Sequence, residues 1–293
     1  MSRVFDEQII ARIGAARSFL FVPGDVPERI SKALASVADA VIVDLEDGVR
    51  EEQKSLARSL LSDIGAGHKP LLLVRVNATS TENFLLDVDS AIAAGADALV
   101  IPKFTATEQM NELETLLDTA EAKTRRKHKV PIIGLIESSA GVLSLIQTSE
   151  LSERVVRLAF GSADLHTDLG IPYQKAGVQS DVAMAIIVLA SAAHSLASPI
   201  DSPYFGLEDL DGLKLSVERA QGIGFRGKLC IHPNQLSIVV NGFKATEEDR
   251  AWAARVMQEW NNPARNGAGA IRLGDELIDE AMVRRARQVI ELI

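Results

Sequence analysis

Short apolar runs recur along this chain and alternate with longer segments of helical periodicity. Strands that are apolar on both faces and alternate with helices indicate a parallel sheet covered by helices on both sides. Eight such runs fit a (β/α)8 barrel better than an open, doubly wound sheet, which is the alternative. The predicted strands are 18–22, 40–45, 71–76, 98–101, 131–136, 155–160, 199–204 and 228–231. The seventh rests mainly on its spacing, because Pro199, Asp201 and Pro203 oppose a central strand.

Between the strands, apolar residues recur at spacings of three and four, which predicts helices at 27–36, 106–118, 141–148 and 181–196. Small-residue turns at 65–70, 93–97 and 222–227 precede predicted strands, where the helix of a repeating unit ends. The chain has neither a GxGxxG string after its first strand nor a GxxxxGK(S/T) string, which disfavours the nucleotide-binding open sheets. We interpret the string 267–274 as a flexible loop, because no predicted strand precedes it.

The sequence changes in character after the eighth strand. Residues 246–260 predict a helix that Thr246 caps and that acidic residues favour in its first turn. A linker rich in Gly, Asn and Pro follows, and a last helix is predicted at 275–293. We therefore predict a catalytic barrel at 1–240 and a short helical lid or oligomerisation segment at 241–293.

Composition excludes several classes of protein. Asp and Glu outnumber Lys and Arg by 40 to 31, and the net charge of −9 disfavours a nucleic-acid-binding protein. No apolar run approaches the roughly 18 residues of a membrane-spanning helix, and the first residues do not resemble a secretory signal. Cys230 is the single cysteine, which excludes an internal disulfide and a multi-cysteine metal site. We expect a cytoplasmic protein whose partners include neither nucleic acid nor a membrane.

Charged residues follow several predicted strands at the end where a barrel enzyme carries its active site. Glu137 follows the fifth strand and Asp164 the sixth, so carboxylates from neighbouring strands can face one ion. Such carboxylates need a counter-charge, and Mg²⁺ binds one or two of them together with waters and substrate oxygens. Arg75 offers a planar fork for a substrate carboxylate. Any one of these residues alone is more often a helix cap or a surface residue, but the combination favours a site.

Seven strings of the sequence carry a resemblance to a known family. They are RSFLFVPGDVPERISKAL (17–34), ADAVIVDLEDGV (38–49), LLVRVNA (72–78), GADALVIPK (95–103), GLIESSAGV (134–142), AFGSADLHTDLG (159–170) and GFRGKLCIHPNQ (224–235). In their order and spacing the chain resembles the citrate lyase β-subunit-like group of the HpcH/HpaI aldolase superfamily, which includes malyl-CoA and citramalyl-CoA lyases. The tail 274–290 resembles the family's C-terminal segment more loosely.

The resemblance implies a TIM barrel that binds Mg²⁺ through Glu137 and Asp164. It implies that Arg75 holds the carboxylate of an α-keto or α-hydroxy acid. It also implies that Glu46 and Asp47 support Arg75 and the waters of the metal.

In lyases of this group, a catalytic aspartate comes from the C-terminal segment of the neighbouring subunit. The matching position is Asp279, although the family usually has proline two residues later, where this chain has Ala281. The alternative is that Asp279 is a cap or first-turn acid of the last helix. The resemblance implies a homo-oligomer, a trimer or a multiple of one.

An acyl carrier, whether CoA or a protein-bound phosphopantetheine, needs local positive charge at its binding site. Arg17, Arg29 and Lys32 lie around the predicted first strand and are candidates for this contact. For Arg29 and Lys32, ordinary surface charge is the alternative. Lys103, at the end of the fourth strand, is interpreted as a phosphate contact or a structural ion pair rather than as a Schiff-base lysine.

These observations predict a Mg²⁺-dependent carbon–carbon lyase that cleaves a short 3-hydroxydicarboxylyl-CoA, such as malyl-CoA or citramalyl-CoA. The products are an acyl-CoA and glyoxylate or pyruvate. Asp279 is the candidate base for the hydroxyl proton, and the metal polarises the incipient carbonyl. The alternatives are a citrate lyase β-subunit that converts a citryl thioester on an acyl carrier to oxaloacetate and an acetyl thioester, a free-acid aldolase that forms a pyruvate enolate, and a non-catalytic homologue.

Overall fold

Eight parallel strands pair in sequence order, and the first also pairs with the eighth, so the sheet closes into a barrel. The computed structural model describes residues 4–64, 69–106, 110–172, 177–262 and 269–291. The strands are β1 Ser18–Pro23, β2 Ala40–Asp44, β3 Leu71–Arg75, β4 Ala98–Ile101, β5 Ile132–Ile136, β6 Val155–Phe160, β7 Ala197–Asp201 and β8 Gly227–Cys230. The predicted (β/α)8 barrel is confirmed.

Helices connect the strands, as parallel pairing requires. They are α1 Glu7–Ala15, α2 Pro27–Leu34, α3 Lys54–Leu61, α4 Asn83–Ala93, α5 Met110–Lys123, α6 Ser139–Gln147, α7 Ser162–Asp168, α8 Val178–Ala193, α9 Leu210–Ile223 and α10 Leu236–Gly242. None of the helices in the described ranges has the length and hydropathy needed to cross a lipid bilayer.

The barrel interior is a packed apolar core. Buried side chains of successive strands fill it, among them Phe19, Ile42, Leu73, Val100 and Ile133. Because this interior is closed, polar chemistry is confined to the strand ends and the loops that follow them.

The seventh strand differs from its prediction. It covers Ala197–Asp201 rather than 199–204, and its pairing with β6 is irregular. Pro199 lies inside it and has no N–H to donate, while Pro203 falls in the loop beyond its end.

The chain divides into two compact units, Met1–Gly242 and Phe243–Ile293. The second contains α11 Glu247–Trp260, an antiparallel hairpin of β9 Ala270–Leu273 and β10 Glu276–Asp279, and α12 Glu280–Glu291. Trp260, Ile278 and Val283 are buried in its own apolar core. Thr246 caps α11 through a capping box, as the sequence predicts.

Two sequence predictions in this unit are wrong. The string 267–274 is not a loop throughout, because it contains β9, and the last helix begins at Glu280 rather than at 275. Each strand has four residues, which is too few for an alternating pattern to be recognised. Gly274, with a φ of 66°, makes the turn between them. Most of the predicted linker, at 263–268, and the turn residues 65–68 lie outside the described residues.

Candidate active site

A cavity of about 490 Å³ opens at the carboxyl ends of the barrel strands. Four of the site residues that the resemblance implies line it together, namely Asp47, Arg75, Glu137 and Asp164. Asp44 and Arg29 also line it, with apolar walls that include Phe21, Pro203 and Phe205. The cavity therefore combines several carboxylates with two guanidinium groups.

Arg75 is held by the carboxylate of Asp44, a residue to which the sequence alone assigns no role. β2 ends at Asp44 and β3 at Arg75, and these two residues are register partners in neighbouring parallel strands. Arg75 Nε donates to Asp44 Oδ1 at 2.7 Å, and Nη2 donates to Oδ2 at 2.6 Å. Burial by itself would lower the pKa of Arg75, but the charges of Asp44, Glu46 and Glu137 raise it overall. Acidic and basic residues that end adjacent strands are the signal that could have identified Asp44.

Asp44 also shapes the loop that follows β2. Its Oδ1 accepts the N–H of Glu46 at 2.9 Å, and its Oδ2 accepts the N–H of Gly48 at 2.8 Å. A Cβ at position 48 would lie 2.3 Å from Asp44 Oδ2, so only glycine allows this close approach. One carboxylate thus fixes both the guanidinium of Arg75 and the turn that carries Glu46.

Glu46 lies between two cations. Its Oε2 is 3.2 Å from Arg75 Nη1, and its Oε1 is 3.5 Å from Lys103 Nζ. Burial raises the pKa of Glu46 to about 7, with Arg75 acting in the opposite direction. The predicted support of Arg75 by Glu46 agrees with this geometry, although Asp44 makes the closer contact.

Glu137 directly follows β5, and its Oε1 accepts the backbone N–H of Lys103 at 2.7 Å. Lys103 has a φ of 49°, a left-handed conformation that is unusual for a residue with a side chain. Burial, with the nearby charges of Glu46 and Asp164, raises the pKa of Glu137 to about 8. At Gly161, a Cβ would lie 2.7 Å from Glu137 Oε2, so glycine leaves room for that oxygen.

Asp164 lies in the first turn of α7, directly after β6, and lines the cavity with Glu137. Among the described residues there is no cluster of three or more His, Cys, Asp or Glu side chains arranged to hold a metal. Two carboxylates nevertheless suit Mg²⁺, which keeps several waters and takes its other ligands from substrate. Burial is the largest cause of the raised pKa of Glu137, and a dication bound beside it would favour its ionised form.

Arg17 and Lys32 are not among the residues that line this cavity. Arg17 precedes the first residue of β1 and so lies at the amino ends of the strands, and Lys32 is exposed in the last turn of α2. Of the three cations considered for an acyl carrier, Arg29 is the one that lines the cavity. Asp279 ends β10 in the second unit, where its Oδ1 accepts the N–H of Met282 at 3.0 Å, so it caps α12.

A family model described as HpcH/HpaI aldolase/citrate lyase matches residues 17–233 of this chain. The chain is similar to the citrate lyase subunit beta of Leuconostoc mesenteroides subsp. cremoris, with 29% identity over 94% of this chain and 92% of the relative. It is similar to the (3S)-malyl-CoA thioesterase of Cereibacter sphaeroides, with 28% identity over 94% of this chain and 93% of the relative.

Among solved structures, the fold is similar to that of protein CitE from Mycobacterium tuberculosis in complex with magnesium, acetoacetate and coenzyme A. The TM-score is 0.75 at 27% identity, and the match covers 94% of this chain and 98% of that one. The similarity extends through the second unit as well as the barrel, since it covers nearly the whole of both chains.

Proposed function

Because this chain belongs to the HpcH/HpaI aldolase/citrate lyase family, we propose that it is a Mg²⁺-dependent lyase that cleaves a carbon–carbon bond of a short 3-hydroxydicarboxylyl-CoA. Malyl-CoA and citramalyl-CoA are the substrates we favour, with glyoxylate or pyruvate as the keto-acid product. The observation that carries the proposal is the shared cavity of Arg75, Glu137 and Asp164.

Arg75 binds the carboxylate next to the hydroxyl-bearing carbon. Asp44 accepts hydrogen bonds from Nε and Nη2 and Glu46 faces Nη1, which leaves one N–H on each of Nη1 and Nη2 for the substrate carboxylate. The paired guanidinium is held rigidly, since it also stacks over the Phe21 ring, 4.9 Å from its centroid. A fork positioned in this way orients the keto-acid half of the substrate before the bond breaks.

Glu137 and Asp164 hold the metal in this proposal. When bound, Mg²⁺ lowers the pKa of the substrate hydroxyl and polarises the oxygen that becomes the keto group. Glu137 must be ionised to act as a ligand, and Lys103 supports its charged form through the backbone N–H. Glu46 and Asp47 accept hydrogen bonds from the water molecules around the site.

A base takes the proton of the substrate hydroxyl, the bond between the α and β carbons breaks, and its electron pair leaves on the thioester as an enolate. Protonation of the enolate carbon completes the acyl-CoA. We assign the base to Asp279 of a neighbouring copy, with the second unit acting as a lid. Asp279 is exposed, and one of its two carboxylate oxygens, Oδ1, accepts the Met282 N–H.

The acyl carrier is placed by Arg29 in this proposal. Among the residues that line the cavity, Arg29 is the cation other than Arg75, and no hydrogen bond or ion pair joins its guanidinium to another described residue. It is exposed at the first turn of α2, where it can meet a phosphate of CoA without displacing a partner. Arg17 and Lys32 are not needed for this contact.

Turnover of defined thioesters tests the proposal. The purified protein is incubated with Mg²⁺ and malyl-CoA, citramalyl-CoA or citryl-CoA, and both keto acid and free thiol are followed. Keto-acid release from malyl-CoA or citramalyl-CoA supports the lyase proposal. Glu137→Gln should abolish this release, and the control Glu150→Gln, at an exposed residue, should keep it. Thiol release without keto acid indicates a thioesterase, as the name of the Cereibacter relative suggests, and oxaloacetate from citryl thioester indicates a citrate lyase β-subunit. Absence of turnover with every thioester would refute the lyase proposal.

The predicted assembly has a separate test. We propose a homo-oligomer, a trimer or a multiple of one, because the base comes from a second copy. Mixing inactive Glu137→Gln with inactive Asp279→Asn should restore part of the activity, since some mixed sites contain both intact residues. Light scattering then gives the number of subunits.

A further inference from the structure

A buried lysine lies directly behind the acidic loop of the candidate site. Lys54 is the first residue of α3 and is 7% exposed. Its Nζ donates to the carbonyl oxygens of Leu45 at 2.9 Å and Glu46 at 3.1 Å, and to Asn77 Oδ1 at 2.6 Å. All three acceptors are neutral, so this ammonium is fully hydrogen-bonded without a direct carboxylate partner.

Asn77 connects this ammonium to a buried carboxylate. Its Nδ2 donates to Leu45 O at 2.8 Å and to Asp87 Oδ2 at 2.6 Å, and its backbone N–H donates to the same oxygen at 2.8 Å. Asp87 Oδ1 in turn accepts from Arg58 Nη1 at 2.9 Å. Lys54 of α3 and Asn77, just beyond β3, therefore hold the peptide groups on either side of the Glu46 Cα. Asp87 of α4 in turn holds Asn77.

A buried ammonium stabilises a loop less effectively than apolar packing does, because the charge must be removed from water. Desolvation of a charge opposes folding, and replacing buried ionic groups by well-packed apolar side chains is often neutral or stabilising. Each of the three donors of Lys54 is used, and two of them go to the backbone of the segment that carries Glu46. This arrangement fits a requirement for a fixed Glu46 better than a requirement for stability alone.

We propose that Lys54 is a positioning residue for the keto-acid site and acts through Glu46. By fixing the Leu45 and Glu46 carbonyls, it keeps the Glu46 carboxylate against Arg75 Nη1 and prevents Glu46 from moving into the place of the substrate carboxylate. The inference rests on the proposed function of Arg75 as the fork that binds that carboxylate.

A double-mutant cycle tests the coupling. Binding of glyoxylate and pyruvate to the full-length protein with Mg²⁺ is measured by calorimetry for wild type, Lys54→Met, Glu46→Gln and the double variant. Lys54→Met should weaken keto-acid binding by about ten-fold, and by much less in the Glu46→Gln background, because residues in one network are not additive. The matched control is Lys228→Met, which removes another buried lysine, paired with Asp201, and should combine additively with Glu46→Gln.

Hydrogen exchange gives an independent readout. In Lys54→Met, the amides of Glu46 and Gly48 should exchange faster than in wild type, while those of β5 stay protected. Asn77→Ser, which removes the amide between Lys54 and Asp87, gives the same two measurements if Lys54→Met does not fold.

Additive effects in the cycle, or unchanged keto-acid affinity in a folded Lys54→Met protein, would overturn the inference. If wild type binds neither keto acid, the proposed function fails instead, and the exchange rates still decide whether Lys54 holds the loop.

Discussion

Two arginines at opposite ends of the barrel, the partly buried Arg75 and the fully buried Arg157, stack on phenylalanines of the same strand. At the carboxyl end, Arg75 lies over Phe21 at 4.9 Å, and in the amino half Arg157 lies over Phe19 at 5.2 Å. Arg75 is bound by two carboxylates. Arg157 instead donates to backbone carbonyls, those of Ile13 and Ala16 at 2.7 Å and that of Ser198 at 2.6 Å.

The partners give the two guanidinium groups opposite electrostatics. Burial lowers the pKa of Arg157 to about 9, because only the more distant charge of Asp39 opposes it. The pKa of Arg75 is raised, since its carboxylate partners outweigh burial. Arg157 ties α1 and β7 to the inside of the barrel, whereas Arg75 is matched to charges at an open cavity. Similar stacking therefore accompanies contacts to the backbone at one end and contacts to carboxylates at the cavity.

Arg75→Met should produce the largest effect on activity. The variant keeps the apolar stem of the side chain but loses the fork, so we expect kcat/KM for the thioester to fall by about a thousand-fold, or about 4 kcal/mol. Steady-state kinetics on the folded fraction measures this loss. A decrease of less than ten-fold would contradict the assignment of Arg75 to the substrate carboxylate.

Arg157→Met should produce the complementary result. Three buried carbonyl oxygens lose their donor, so the free energy of unfolding should fall by about 3–5 kcal/mol. Activity per folded molecule should stay unchanged, since Arg157 does not line the cavity. Chemical denaturation followed by kinetics at low temperature makes both measurements. A folded, stable variant with lost activity would remove the distinction between the two arginines.

The sequence predicts the residues at the carboxyl end of the barrel better than it predicts the contacts of Arg157 in the amino half. Strand order alone predicts that Arg75, Glu137 and Asp164 meet at one rim of a barrel, and these three residues line one cavity. The partner of Arg75 depends on register, which pairs Asp44 with Arg75 and which apolar runs do not specify. Arg157 stands in the apolar run VVRLAF, and nothing local indicates that its acceptors are distant carbonyls.

The second unit shows a further limit. The Thr246 cap and the acidic first turn predict helix α11, but no pattern predicts the hairpin of β9 and β10, because four-residue strands are too short to show a clear alternation. The capping contact of Asp279 agrees with one of the two interpretations of that residue. Its catalytic assignment stays a prediction, since it concerns a second copy of the chain.

Stability of the metal-free protein should fall as pH rises between about 5 and 8. The pKa of Glu137 is raised from 4.5 to about 8, so in this range the folded state binds a proton that the unfolded state does not bind. Stability is therefore gained as pH falls through 8 and complete near 4.5, with a slope of about 1.4 kcal/mol per pH unit for one proton. Glu46, with a pKa raised to about 7, acts in the same direction.

Urea unfolding at several pH values, with a chelator present, measures this slope. Glu137→Gln should reduce it, and excess Mg²⁺ should flatten it because metal ligation favours the ionised carboxylate. Arg157 titrates near 9 and adds nothing in this range. A slope that is the same in wild type and Glu137→Gln would contradict the burial argument.

The smallest expected effects concern two residues in left-handed conformations. Lys103 has a φ of 49° and lies at the carboxyl end, and Ser195 has a φ of 56° and lies between α8 and β7, at the amino end. Glycine adopts this conformation without the cost of about 1 kcal/mol that other residues incur, although it loses more chain entropy on folding. Lys103→Gly and Ser195→Gly should therefore each raise the free energy of unfolding by about 0.5 kcal/mol.

Lys103→Gly and Ser195→Gly should differ in their effect on activity. Lys103→Gly keeps the backbone N–H that Glu137 accepts but removes the ammonium beside Glu46. We therefore expect kcat/KM to fall by a few-fold. Lys103→Ala removes the same charge and should lower kcat/KM by the same factor. Ser195→Gly should leave kcat/KM unchanged. If Lys103→Gly retained full activity while Lys103→Ala lost it, the backbone conformation rather than the ammonium would be the feature that the site requires.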